Sequence, residues 1–317
     1  MGVSSMDGST FGKFEDPAVT ASGEDRATVA LRDPQTLWFN TGTLCNITCA
    51  NCYIESSPSN DALVYLTADE VSDYLAQLRD RRWSVREIAF TGGEPFMNPQ
   101  MIEMARRPLE AGYKVLILTN AMRPMMRPKV QAGIEALVAE HEGRLTFRVS
   151  LDHHAAEVHD RERGAGAHAR TVEGVDWLQS IGARLAVAGR IEMAESEAEA
   201  RAGYAALFEA RGWAIDALDP GRTVLFPEMD ERAEVPEITT RCWSILGKSP
   251  REVMCSSSRM VVKRKGAERP AVLACTLLPY DRQFELGVTL EEAERPVALN
   301  HPHCAKFCVL GGASCSA

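Results

Sequence analysis

"CNITCANCY", residues 45–53, places three cysteines within eight positions. It closely follows "LWFNTG" (37–42), a short apolar run of the kind expected for a parallel strand buried on both faces. Cys45, Cys49 and Cys52 therefore occupy the loop that leaves a first strand, in C-x3-C-x2-C spacing. Three thiolates are one short of a closed metal site. Zinc sites ordinarily pair their cysteines as C-x2-C, so a structural zinc with a distant fourth ligand fits this spacing poorly. Cysteine-dense loops also hold iron–sulfur clusters, one thiolate to each iron, and on a four-iron cube three thiolates leave one iron open.

Outward from this loop the chain alternates strands with helices. Further strand candidates are "REIAFTG" (86–92), "KVLILT" (114–119), "LTFRVSL" (145–151), "RLAVAGR" (184–190) and "TVLFPE" (223–228). "TADEVSDYLAQLRDRR" reads as a helix capped by Thr67, with Asp69 and Glu70 in its first turn. "NPQMIEMARRPLEAG" predicts a helix with Asn98 as cap, Pro99 at the first position and Gly112 past its end. Further helices are predicted near 128–141, 169–182 and 196–211, the last opening on the acidic "EMAESEAEA" as an exposed helix start. Six strand–helix repeats imply right-handed parallel crossovers, hence an α/β fold, either open and doubly wound or a partial barrel. Periodicity does not separate these two.

After about residue 230 the pattern changes. "CSSSRMVVKRKGAERPAVLAC" predicts a β-hairpin, "RMVVKR" and "AVLAC" about a turn at Gly266, with Cys255 and Cys275 at its ends. A short helix, "TLEEAERPV", is expected next, and then the cysteine-dense "HPHCAKFCVLGGASCSA".

The 317 residues are 45% hydrophobic and 25% charged, as in soluble globular proteins, and can bury a sizeable core. The formal net charge is −9 and the basic run "KRK" (263–265) is short, which argues against binding a nucleic-acid backbone. No apolar run approaches the roughly 18 residues that cross a bilayer. The N-terminus lacks a signal-peptide pattern, and Met6 stands where a myristoylation signal carries Ser or Thr. Residues 1–36, polar and rich in Gly, Ser and Asp, are expected to be a flexible lead-in. The expected location is cytoplasmic, where cysteines serve metals or catalysis more than disulfides. Their distribution agrees: three at 45–52, none at 53–241 and six at 242–315.

With "TGGEP" (91–95) at the end of the second strand, the cysteine triad resembles the radical S-adenosylmethionine (SAM) enzymes. The resemblance implies a partial (β/α)6 TIM-like barrel over 37–235 and a small cysteine-rich α+β extension over 236–317. It implies a [4Fe-4S] cluster on Cys45, Cys49 and Cys52, whose open iron chelates SAM. Reduction by a flavodoxin- or ferredoxin-type donor then cleaves SAM to a 5′-deoxyadenosyl radical that abstracts hydrogen from substrate. Gly92, Gly93 and Glu94 are implied to hold SAM through their backbone, with Pro95 fixing the turn. Ser150, Asp152, Asn120 and Arg190 sit at later strand ends, where SAM contact and a capping or turn role are both open. Where many relatives carry an aromatic just before the third cysteine, this chain has Asn51, with Tyr53 on the other side as a further adenine candidate.

The C-terminal cysteines resemble the SPASM/twitch extensions that hold auxiliary [4Fe-4S] clusters. They are too few for two fully ligated cubes, so one auxiliary cluster is expected. Cys255 and Cys275 would be joined by two of Cys304, Cys308 and Cys315. His301 or His303 could substitute, although "HPH" reads better as a turn. Cys242 is open between a buried small hydrophobe and a ligand or hydrogen-atom donor. His153, His154 and His159 in "DHHAAEVHDRERG" suggest a metal box, but a surface loop beside the site is the simpler expectation. Glu228 and Asp230 of "FPEMDE" either meet a substrate or are solvated loop carboxylates.

Only 36 residues precede the first strand, which leaves no room for the leader-binding domain of many peptide-modifying relatives. A small-molecule substrate, oxidised with help from the auxiliary cluster, is therefore expected ahead of a peptide. An iron–sulfur electron carrier or scaffold is the non-enzyme alternative; GGEP argues against it, because a carrier needs no SAM pocket.

Overall fold

The computed structural model describes residues 12–192, 195–227 and 234–311. Strands β1 (Thr28–Val29), β2 (Thr36–Asn40), β3 (Glu87–Thr91), β4 (Lys114–Thr119), β5 (Leu145–Ser150), β6 (Arg184–Ile191) and β7 (Thr223–Pro227) come first. Strands β8 (Ser258–Val262), β9 (Ala271–Leu273), β10 (Glu285–Gly287) and β11 (Val297–Ala298) follow. Helices α1 (Ala68–Arg81), α2 (Met101–Glu110), α3 (Pro128–Glu140), α4 (Ala156–Arg163), α5 (Ala167–Ser180) and α6 (Glu197–Arg211) fill the crossovers, and α7 (Cys242–Leu246) comes after β7.

Strand order decides between the two architectures left open by the sequence. Strands β2 to β7 lie side by side in chain order and pair in parallel throughout. Every crossover steps the same way, so all the helices fall on one face; a doubly wound sheet would reverse at a switch point. The sheet is a partial barrel. Its helix-facing side carries Leu37, Phe39, Ile88, Phe90, Val115 and Ile117 in the main core. The intervening Trp38, Ala89 and Leu116 form a smaller cluster with Met260 and Val262 on the concave side. This alternation is the period-2 geometry of a strand buried on both faces.

The hairpin β8–β9 is antiparallel, as predicted, but β8 also pairs in parallel with β2, Thr36 opposite Ser258. The sheet thus runs β10-β9-β8-β2-β3-β4-β5-β6-β7, across the expected division at 235/236. The lead-in also differs from expectation in its described part. Strand β1 pairs with β11, Ala27 and Val29 are fully buried, and Arg26 makes a buried ion pair with Glu237. A polar composition concealed this, because the partners lie more than 200 residues away.

Local chemistry explains most helix ends. Thr67 and Glu70 form the capping box of α1, and Ser196 and Glu199 that of α6. Asn98, predicted as the cap of α2, instead accepts the Gln100 N–H in a turn of its own, and the helix starts at Met101. The helix expected over "TLEEAERPV" is a single 3-10 turn, Glu292–Glu294. The His-rich segment expected as a surface loop holds α4, with His159 fully buried.

Candidate active site

The cysteine loop leaves the C-terminal end of β2 and is clamped to the neighbouring strand ends. The Cys45 N–H donates to Ser57 O and the Ser56 N–H to Cys52 Sγ. Asn120, just past β4, donates to Asn46 Oδ1 at 2.9 Å and tethers the loop from the other side. The two glycines of "TGGEP" leave the room this clamp needs. A Cβ on Gly92 (φ +145°) would lie 2.6 Å from Gly42 O, and one on Gly93 2.2 Å from Leu44 O. The close approach is thus to the cysteine loop itself. The Gly93 N–H bonds Gly42 O and the Glu94 N–H bonds Leu44 O, so those donors are already used.

Cys45, Cys49 and Cys52 face one cavity at the barrel mouth, about 1150 Å³ with its open mouth included. Gly92, Gly93, Asn120, Ser150, Asp152 and Arg190 line the same space, as does Tyr53. Glu94 and Pro95 lie behind it. The Glu94 carboxylate is buried and accepts from Thr119 Oγ1 (2.9 Å), the Asn120 N–H (2.8 Å) and the Phe96 N–H (3.2 Å). Burial pushes its pKa up to about 7, against the pull of those donors. Its side chain joins strand ends and does not line the cavity.

The charged side of the cavity centres on Asp152. Arg163 of α4 grips it with two bonds, Nε at 2.6 Å and Nη2 at 3.0 Å, and Arg190 Nε stands 3.6 Å away. Burial would raise the carboxyl, but Arg163 and then Arg190 outweigh it, and Asp152 stays below its usual pKa. Arg190 also donates to Asn51 O at 2.6 Å and lies over the Tyr53 ring at 5.3 Å. Asn51, polar where an aromatic is common, donates to Glu162 Oε2 at 2.9 Å. Sequence reasoning missed Glu162 and Arg163, because "DRERG" carries no motif. It also missed the apolar wall: Trp38, Leu118, Phe226, Leu277 and Phe307.

A second, apolar cavity of about 420 Å³ is lined by Cys255, Cys275, Cys304 and Cys308. Cys255 precedes β8, Cys275 follows β9, and the last two share the wide turn Cys304–Leu310. Leu277 and Phe307 line both cavities and form the partition between them. Cys315, Glu228 and Asp230 lie outside the described residues. Cys242 lines neither cavity; it starts α7, packs against the core and accepts the Thr239 N–H, which fits the small-hydrophobe reading. "HPH" is a turn in which His301 Nδ1 accepts the His303 N–H.

Both cysteine sets suit iron. Burial pushes the Cys45 thiol up to about 12 and Cys255 to about 11, and raises Cys304 well above 9, with the neighbouring Cys275 and Cys255 adding to the last. Thiolates so enclosed need a bound cation to be stable, and soft sulfur donors select iron–sulfur clusters or zinc. The His box does not suit a metal. His153, His154 and Glu195 bring donor atoms within 4.8 Å. However, His153 Nδ1 accepts the Ala155 N–H, which leaves its proton on Nε2, facing Glu195 Oε2 at 3.3 Å. His159 Nδ1 accepts the Asp152 N–H, and burial lowers its pKa to about 4.

A partial barrel whose first loop offers three thiols, beside a paired-glycine strand end, defines a radical SAM domain. Residues 39–191, just under half of the chain, match the family model described as the Radical SAM superfamily, so the chain carries a domain similar to that of enzymes that use a [4Fe-4S] cluster and SAM. It is 27% identical over 288 residues to the antilisterial bacteriocin subtilosin biosynthesis protein AlbA of Bacillus subtilis, covering 85% of this chain and 59% of AlbA. It is 33% identical over 136 residues to the AdoMet-dependent heme synthase of Methanosarcina barkeri, covering 43% of this chain and 36% of that protein. The chain thus spans less than two thirds of either relative. The fold is similar to Streptococcus suis SuiB bound to S-adenosylmethionine (TM-score 0.58, 12% identity, 80% of this chain and 63% of that one). It is also similar to anSMEcpe with bound AdoMet (TM-score 0.56, 14% identity, 82% and 77%). Among the described residues no helix is long and apolar enough to cross a membrane.

Proposed function

We propose that the chain modifies a peptide by radical SAM chemistry, with one auxiliary [4Fe-4S] cluster held by Cys255, Cys275, Cys304 and Cys308. The observation that carries this reading is the AlbA match. It extends over 85% of the chain, far beyond residues 39–191, and AlbA is named for the biosynthesis of a bacteriocin. SuiB, similar in fold, has also been solved with its precursor peptide SuiA bound. These relatives favour a peptide over the small molecule expected from the sequence. Convergence of four thiols on one cavity supports the auxiliary cluster.

When bound at Cys45, Cys49 and Cys52, the cluster with SAM supplies hydrogen-atom abstraction from an unactivated C–H bond. The chain's own residues position and enclose that chemistry. Gly92 and Gly93 bring the β3 end against the cysteine loop and fix where its thiols point. Asp152, Arg163 and Arg190 supply a paired charge cluster for the polar part of SAM, and the stacked Arg190 orients Tyr53. Trp38, Leu118, Phe226 and Phe307 leave the rest of the cavity apolar, so a substrate side chain displaces water when it enters.

The test is anaerobic incubation of the reconstituted protein with SAM, dithionite and precursor peptides encoded beside its gene. Peptide-dependent 5′-deoxyadenosine with a mass change in the peptide is the expected result. Turnover with small molecules, and none with any such peptide, would overturn the reading.

A further inference from the structure

The geometry points to Arg259 as the residue that sets the reduction potential of the auxiliary cluster. The inference rests on the reading that Cys255, Cys275, Cys304 and Cys308 hold such a cluster. Arg259 is the second residue of β8, opposite Leu37 in the parallel ladder, and is 1% exposed. Its Nε donates to Ala293 O at 2.9 Å, and its Nη1 to Cys255 O at 2.6 Å and Ser258 O at 2.8 Å. All three acceptors are neutral carbonyls. Nη2 is buried with no hydrogen-bond partner.

Two other buried arginines show what is missing. Arg26 has Glu237 and Arg163 has Asp152, each an ion pair in the interior. Among the described residues no carboxylate lies within ion-pair distance of Arg259. A buried guanidinium without a counter-ion is strongly unfavourable, since desolvation of the charge is left uncompensated. The Nη1 bond of Arg259 to Cys255 O instead places the guanidinium against a residue proposed to hold the cluster. The counter-ion required is therefore on the cysteine side.

A [4Fe-4S] core bound by four thiolates carries net negative charge, and reduction adds one more. A fixed cation beside it stabilises the reduced form more than the oxidised one and so raises the potential. Burial keeps the local dielectric low and salt out, so the effect survives where a surface arginine would be screened. The backbone bond to Cys255 O holds the guanidinium beside one ligand, and the β8–β2 ladder prevents it from turning to solvent. Arg259 acts on the cluster through space, as a positioning charge and not as a ligand.

The test uses the full chain carrying Cys45→Ala, Cys49→Ala and Cys52→Ala, in which only the auxiliary cluster can form. Its midpoint potential is measured by EPR-monitored redox titration with Arg259 intact and as Arg259→Lys, Arg259→Gln and Arg259→Met. The lysine keeps the charge, and the glutamine keeps an N–H donor for the carbonyls. The neutral variants are expected to have a lower potential, by at least tenfold in the reduction equilibrium, or about 59 mV for a one-electron couple. The lysine variant should recover most of that shift. If the neutral variants lose the cluster but the lysine variant keeps it, the need for charge stands. Full iron with an unmoved potential, or loss of the cluster from all three variants, assigns Arg259 to folding alone and overturns the inference. A triple-cysteine background that holds no iron would sink the auxiliary cluster itself, a separate failure.

Discussion

A methyl group on Gly93 would stand 2.2 Å from the Leu44 carbonyl oxygen and 2.7 Å from that of Thr43, both backbone atoms that cannot swing aside. Gly93→Ala is therefore expected to push the cysteine loop off the β3 end and to cost about 3 kcal/mol, at the upper end for overpacking a tight contact. Urea unfolding of the mutant and the parent checks it; equal midpoints would mean that the loop yields freely. At this scale the sequence was informative where chemistry restricts residue type. Cys45, Cys49, Cys52, Gly92 and Gly93 stood out because thiol ligands and Cβ-free backbone have few substitutes. Glu162, Arg163 and Arg259 did not, because arginines and glutamates are common and each gains meaning only from a partner distant in the chain.

Elements that bury a continuous apolar face were legible, and those held by polar contacts were not. The strands β2 to β7 announced themselves as apolar runs, whereas α4 buries chiefly His159 and reads as a charged loop. Strand β1 was hidden for the same reason. The lead-in is fastened by Glu237, which accepts the N–H groups of Phe14 and Ala21 and pairs with Arg26. Burial raises the Glu237 carboxyl, but those two N–H bonds and then Arg26 outweigh it, so its pKa is lowered from the usual 4.5. A depressed folded pKa contributes stability that is present above the unfolded value and lost as pH falls through the folded one. Glu237→Gln should thus be less stable than the parent at neutral pH, with the gap closing as pH drops below about 4.5. Denaturant melts across that range provide the comparison, and a gap independent of pH would count against the ion pair.

For the molecule as a whole, the number of strand–helix repeats was readable but their order in the sheet was not. Periodicity reports whether a strand is buried on both faces; it carries no record of which neighbour it pairs with. That is also why the cysteine-rich segment looked separable. With β8 lying against β2, a fragment ending at residue 235 leaves β2 with one unpaired edge. Such a fragment is expected to aggregate, seen as loss from the soluble fraction after expression; a soluble monomer would show that β2 tolerates an open edge.

The same pairing places a delay in biosynthesis. Thr36 and Ser258 are neighbours in the sheet but about 220 residues apart in the chain. At roughly 5–20 residues per second, a ribosome needs about 10–45 s to make the second after the first. Throughout that interval the strand that leads into Cys45, Cys49 and Cys52 has emerged without the partner that completes its side of the sheet. The thiols proposed to hold the iron–sulfur cluster are therefore made well before the sheet that carries them is complete.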